Sequence, residues 1–160
     1  AGGTRMTNVE EYNGSTWSEV TDVPGSAKSS QGSAGPQTAA IAALGATPAN
    51  SNAAVVSSFE YDGTNWTAGG DANTARTAAF ATGTQTAAIF AGGGPVLTNA
   101  EEYDGSSFST TGSLIFGAQG PFASGIQTSA YMLAVEMEVQ VQEQLRHKFT
   151  MEVFLQHSLH

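Results

Sequence analysis

The sequence predicts an all-β chain assembled from tandem units of four short antiparallel strands. Three observations lead there. Two sequence blocks recur in step along most of the chain, the composition suits strands and tight turns, and Asn-Gly or Asp-Gly pairs stand where hairpins would turn. The 160 residues suffice for one domain with a core. Glycine is abundant at 19 residues, charged residues make up only 12%, and Thr, Ser, Asn and Gln fill most polar positions. Thr fits the pleated surface of a strand, whereas Gly and Asn fit the turns between strands.

The first block, Glu11-Tyr12-Asn13-Gly14-Ser15-Thr16-Trp17, returns as Glu60-Tyr61-Asp62-Gly63-Thr64-Asn65-Trp66 and again as Glu102-Tyr103-Asp104-Gly105-Ser106-Ser107-Phe108. The second, Gln37-Thr38-Ala39-Ala40-Ile41, returns as Gln85-Thr86-Ala87-Ala88-Ile89 and as Gln127-Thr128-Ser129-Ala130-Tyr131. Successive tyrosines lie 49 and 42 residues apart and successive glutamines 48 and 42. The blocks keep step, so they belong to one module with loops of variable length.

Within a unit, the first strand is expected over Thr77–Thr82, a run of small residues, followed by a turn at Gly83-Thr84. The second is expected over Thr86–Ala91 and ends at Gly92-Gly93-Gly94. The third covers Asn99–Tyr103. Asp104-Gly105, like Asn13-Gly14, then signals a hairpin through a type I′ turn, which needs positive φ. The fourth starts at the aromatic position held by Trp17, Trp66 or Phe108. Four antiparallel strands in a unit of this length are the signature of a propeller blade.

Three features resemble the kelch-like propeller family. They are a Gly-Gly pair closing the second strand (Gly2-Gly3, Gly92-Gly93), the Glu-Tyr-Asp-Gly segment, and the aromatic that follows it. The middle unit departs, with Leu44-Gly45-Ala46 in place of the pair, and the Tyr-to-Trp spacing is shorter than in most kelch repeats. The likeness covers residues 1–133. More narrowly, Gln-Thr-Ala-Ala followed by Glu-Glu-Tyr-Asp-Gly-Ser resembles repeats of virion and tail proteins of marine bacteriophages, cyanophages especially. The resemblance implies kelch-like β-propeller blades and a place in a phage particle.

Counting begins in mid-unit. A partial unit with strands three and four comes first, then full units near residues 24–70 and 72–112, then a first and second strand within 113–133. These make about three blade equivalents, whereas propellers typically close with about 4–8. A ring would therefore be completed by other chains or by further repeats of a longer propeller. The N-terminal Ala1-Gly2-Gly3-Thr4-Arg5 reads as neither a signal peptide nor an ordinary translation start, and is expected to be a mature or truncated end.

Residues 134–160 read as a non-repeat tail. Val135, Met137, Val139 and Val141 alternate with Glu and Gln, as do Phe149, Met151, Val153 and Leu155 with mixed neighbours. Period two favours strands, although these residue types also tolerate helix. Shifting the codons by one base lets Phe149-Thr150-Met151-Glu152-Val153 read Tyr-Asp-Gly-Ser, with the Tyr about 46 residues after Tyr103. The tail is thus expected to be a frame-shifted blade.

Composition excludes several function classes. The formal net charge is -9, and Arg5, Lys28 and Arg76 are the only basic residues before position 140. Nucleic-acid binding needs a basic footprint, and anionic membranes select one too. With no cysteine there is no disulfide or thiol chemistry, and no apolar run is long enough for a transmembrane helix. His147, His157 and His160 fall in the tail without a third ligand at a recognisable spacing, so no metal is expected. Glu101 and Glu102 are adjacent and would face opposite sides of a strand, which rules them out as an acid–base pair. Glu11, Glu60 and Glu102 share one repeat position and read as architectural. Asp71-Ala72-Asn73 lacks the length of a calcium loop, and Gly92-Gly93-Gly94-Pro95 lacks the Lys-Ser/Thr of a phosphate loop. A Ser-His-Asp site would have to borrow its His from the tail. Asn13-Gly14-Ser15 and Asn65-Trp66-Thr67 match a glycosylation sequon that a phage or bacterial origin makes accidental.

Tyr12, Tyr61, Tyr103, Trp17, Trp66 and Phe108 could stack on sugars, but their regular recurrence favours packing between units. The better binding candidates are the variable connections at Val23–Gly32, Ala46–Asn52, Gly94–Asn99 and Gly112–Pro121, since recognition usually sits on loops carried by a fixed scaffold. The expected function is a phage virion structural or tail-associated protein with blades as scaffold and loops as the binding or host-recognition surface. The alternative is a kelch-like protein-interaction or carbohydrate-binding domain of a cellular protein, located outside the cell or at its surface. No catalytic residue and no cofactor is expected. Expected partners are other virion chains, copies of the same chain, or a host-surface glycan or protein.

Overall fold

The computed structural model describes residues 6–47, 53–120 and 122–133. These form twelve strands and no helix: β1 (Val9–Tyr12), β2 (Trp17–Val20), β3 (Gly32–Ala34), β4 (Ala40–Ala43), β5 (Ser58–Tyr61), β6 (Trp66–Ala68), β7 (Phe80–Thr84), β8 (Ala87–Ala91), β9 (Ala100–Tyr103), β10 (Phe108–Thr110), β11 (Phe122–Ile126) and β12 (Ser129–Leu133). They make four small antiparallel sheets, β1-β2, β3-β4-β5-β6, β7-β8-β9-β10 and β11-β12, each a simple meander. The tail, with its alternating valines and three histidines, lies outside the described residues, as does Gly2-Gly3.

Two local expectations are corrected. The first strand of the third sheet starts at Phe80, not Thr77, because Ala78 takes a left-handed φ of 50° that breaks an extended run, leaving Thr77 only a bridge to Gly94. Its turn falls at Gln85-Thr86, not Gly83-Thr84. Gly83 is inside the ladder opposite Ala88 and has φ 113°, which kinks the strand end. Gly35 and Gly125 repeat this conformation at φ 107° and 132°.

The Asn/Asp-Gly hairpins form, but not through type I′ turns. Tyr12 pairs with Trp17, Tyr61 with Trp66 and Tyr103 with Phe108, which leaves four-residue loops. Only the glycine of each is left-handed (φ 96°, 89° and 91°), whereas type I′ needs two such residues. The side chain before it does the rest. Asp104 Oδ1 accepts the N–H groups of Ser106 and Ser107, Asp62 those of Thr64 and Asn65, and Asn13 those of Ser15 and Thr16. These two N–H bonds hold the Asp62 and Asp104 carboxyls below the usual range.

The sheets pack face to face. β3 lies against β7, and β7 against β11, so the first strands of successive sheets are neighbours. Small residues make this possible: a methyl on Gly32 would stand 3.1 Å from both Ala79 O and Phe90 Cδ1. Between the second and third sheets, Ile41, Leu44, Ala88, Phe90, Tyr103 and Phe108 form the main core. Fully burying a side chain such as Phe90 contributes about 1.5–3 kcal/mol. A smaller cluster of Phe80, Ala91 and Ala100 carries Ala123 and Met132 of the last sheet.

Gly83→Ala should be strongly destabilising, because the new methyl would collide with Ala87 O on a backbone that L-residues avoid. A loss of about 2–4 kcal/mol is expected, read as a lowered urea midpoint at unchanged slope.

Candidate functional site

The repeated residues act between sheets. Gln85 donates its amide to Ala40 O (3.1 Å) and Tyr61 O (2.9 Å), carbonyls at the end of the preceding sheet's β4–β5 ladder. Gln127 does the same to Ala88 O and Tyr103 O, both at 3.2 Å. Tyr61 donates its hydroxyl to Glu11 at 2.6 Å, and Tyr103 donates to Glu60 at 2.7 Å. Backbone links repeat as well: Ala78 N–H to Ser30 O and Gly120 N–H to Ala78 O, then Gly45 N–H to Arg76 O and Gly93 N–H to Ala118 O. The recurring Gln, Glu and Tyr therefore tie each sheet to the one before it.

Each recurring tyrosine also stacks on its hairpin partner, with ring centroids 5.2 Å apart for Tyr12–Trp17, 4.8 Å for Tyr61–Trp66 and 4.7 Å for Tyr103–Phe108. Tyr61, Tyr103 and Phe108 are buried in the packing between sheets. Tyr12 and Trp17 are not, at 45% and 66% exposed. Beside them a groove of about 320 Å³ opens between the first two sheets, lined among others by Glu11, Tyr12, Trp17, Gln37, Tyr61 and Trp66. The Trp66 indole N–H is buried there without an acceptor.

One interior position takes two chemistries. Arg76 is fully buried and pairs with Glu101 at 2.6 Å, while its other nitrogen donates to Phe90 O. Glu101 also accepts from the backbone N–H groups of Asn73 and Thr74 and from the Asn73 side chain. Burial alone would raise the Glu101 carboxyl. The Asn73 N–H and the Arg76 guanidinium outweigh it and hold the group below its ordinary 4.5. In the second sheet Lys28 stands at the place of Arg76 and Phe59 at that of Glu101. There Lys28 Nζ lies 4.4 Å from the Phe59 ring centroid and donates to Ser57 Oγ at 2.7 Å. Partial burial lowers the Lys28 pKa, against the pull of Asp71. Glu102 faces elsewhere, accepting from Thr111, so the two adjacent carboxylates do not converge.

The meander puts all variable connections at one end of the sheets and the Gln and Asn/Asp-Gly turns at the other. Residues 48–52 and Pro121 of these connections lie outside the described residues. The others are knit together. Ser29 bridges to Ala46, Leu114 N–H bonds to Thr98 O, and Ala118 N–H to Leu97 O. The last two bonds bring Val96, Ile115 and Phe116 to the same end, exposed by 60%, 88% and 67%. Sequence reading singled out these loops but no residue in them. Nothing in either loop alone marks the patch, since it forms only when two segments some twenty residues apart are joined.

No protein-family model matches the chain, and no curated protein sequence does. Among solved structures, 70 chains match in fold. One is described as the structure of YjhT, with a TM-score of 0.60 at 13% identity over 76% of this chain and 47% of that one. The match thus spans about half of that protein's length. At this identity the likeness is one of fold alone.

Arg76→Met should cost about 3–5 kcal/mol by stranding Glu101 in the interior. Arg76→Lys combined with Glu101→Phe, which copies the second sheet, should recover most of that loss in denaturant titrations. Alkaline pH should act through the tyrosines. Burial and the bond to Glu60 push Tyr103 up to about 12 from 10.0, so its proton is held more tightly in the folded chain. That contribution is complete below about pH 10 and is lost as pH rises through about 12. Absorbance titration should show Tyr103 ionising late, and Glu60→Gln should bring it down.

Proposed function

We propose that the chain is a phage virion structural or tail-associated protein. Its sheets are blades of a kelch-like β-propeller, and its loop end is a contact or host-recognition surface. The observation that carries the scaffold reading is the repeated set of Gln, Tyr and Glu links, which stacks each sheet on the last with first strands adjacent. This is the arrangement radial blades require. The virion assignment rests on the resemblance of Gln-Thr-Ala-Ala and Glu-Glu-Tyr-Asp-Gly-Ser to phage repeats.

The loop patch favours a protein partner over a glycan. Val96, Ile115 and Phe116 expose apolar surface at the loop end, and apolar and aromatic side chains of this kind are enriched at the centre of protein interfaces. Antibody raised against the chain should label intact particles made from the genome that carries the gene. Unlabelled particles, with the chain found only in host cells, would favour the cellular interaction-domain reading. Ile115→Ser with Phe116→Ser should leave stability within about 0.5 kcal/mol, as exposed substitutions do. It should abolish capture of the chain by its particle or receptor.

A further inference from the structure

The two outer sheets are complementary halves of one four-stranded sheet. β1 and β2 occupy the places of strands three and four, and β11 and β12 those of strands one and two. In both complete sheets the second strand pairs with the third: Ala40 with Tyr61, Ala43 with Ser58, Ala88 with Tyr103 and Ala91 with Ala100. Among the described residues, β12 and β1 each keep this edge open. The exposure pattern agrees. Tyr131 and Leu133 are 68% and 59% exposed, whereas Ala43 and Ala91, at the position of Leu133, are fully buried. Tyr12 is half exposed where Tyr61 and Tyr103 are buried. The groove beside β1 lies where strands one and two pack in a complete sheet, and it holds the unpaired Trp66 N–H.

We infer that β12 of one copy of this chain pairs with β1 of a second copy, completing a four-stranded sheet at each of two joints. The inference rests on the propeller reading. By repeat equivalence Ala130 falls opposite the partner's Tyr12, Tyr131 opposite the partner's Glu11 and Leu133 opposite the partner's Val9. The two links made within the chain then recur across the joint. Tyr12 of one copy donates to Glu102 of the other, as Tyr61 does to Glu11 and Tyr103 to Glu60. Gln37 reaches Tyr12 O and the other copy's Ala130 O, as Gln85 reaches Tyr61 O and Ala40 O. The described residues carry two complete sheets and two halves. Paired through these halves, the described strands of two copies make six sheets, inside the range of about 4–8 in which propellers close, whereas those of one copy make three. The joint is weaker than the junctions within the chain, because Ala118 stands where Arg76 and Lys28 stand and Glu10 enters without an ion partner.

The absence of cysteine makes the register testable. Leu44 N–H bonds to Ser57 O and Gly92 N–H to Asn99 O, so the neighbouring pairs Ala43–Ser58 and Ala91–Ala100 are non-hydrogen-bonded. Leu133 and Val9 would form the same kind of pair, with Cα atoms about 4.5 Å apart, within disulfide reach. The full-length Val9→Cys/Leu133→Cys variant should give a covalent dimer on mild oxidation, and neither single variant should. The unmodified chain should sediment at twice its 16.4 kDa, and Tyr12→Phe should weaken the dimer about tenfold. A disulfide closed within one chain would overturn the inference in favour of a three-sheet ring. A monomer without the disulfide would overturn it in favour of further repeats or the tail filling the edge. A monomer whose Tyr103 still titrates near 12 loses only the pairing of copies. One whose Tyr103 titrates near 10 loses the stacking of sheets, and the propeller reading with it.

Discussion

Gln85 and Gln127 each reach from a turn to two carbonyls at the end of the neighbouring sheet, and the rest of the structure depends on that reach. Sheets of three to five residues per strand cannot bury enough apolar surface to stand alone. They must stack, and stacking removes the carbonyls at their ends from water. A side-chain amide satisfies them at little cost and fixes the spacing of the sheets. The tyrosine–glutamate bond secures the same junction from the side. With both contacts at the junction of the second and third sheets, small residues suffice for the remainder there, which fits a core dominated by alanine.

The parts of the fold legible in the sequence are those whose residues face a neighbouring sheet. Gln85, Glu60 and Tyr103 recur because each has a partner one unit away, and their spacing gave the module and its strand order. Strand ends were less legible. Gly83 looks like a turn residue and is a kinked ladder residue, because the turn chemistry is carried by backbone shape and not by composition. Asp104-Gly105 marks a hairpin correctly but through an aspartate that caps a longer loop, a distinction that depends on where the strands stop pairing.

Leu44 shows the converse. Its sequence breaks the Gly-Gly pattern, yet its backbone does not. Leu44 has φ 67° and Gly92 φ 66°, and Leu44 is fully buried. Tertiary packing holds a side chain where the bare backbone preference would ask for glycine. The Arg76–Glu101 pair was likewise invisible as a repeat feature, since its counterpart is Lys28–Phe59. The signal that could have found it is the 48-residue spacing of the two cations. The apolar patch on the loops had no such signal, because contacts between variable segments leave no period.

The alternation between an ion pair and a cation over an aromatic ring bears on how near-identical repeats avoid exchanging strands. If β5 entered the third sheet in place of β9, Arg76 would be buried beside Phe59 with no carboxylate to neutralise it. If β9 entered the second sheet, Glu101 would leave the Asn73 and Thr74 amides that hold it. The first swap strands a buried charge, a penalty that discriminates against β5 in the third sheet, whereas in the second Glu101 would meet Lys28. The buried Arg76 thus marks the third sheet as the place of a strand that carries a carboxylate at this position.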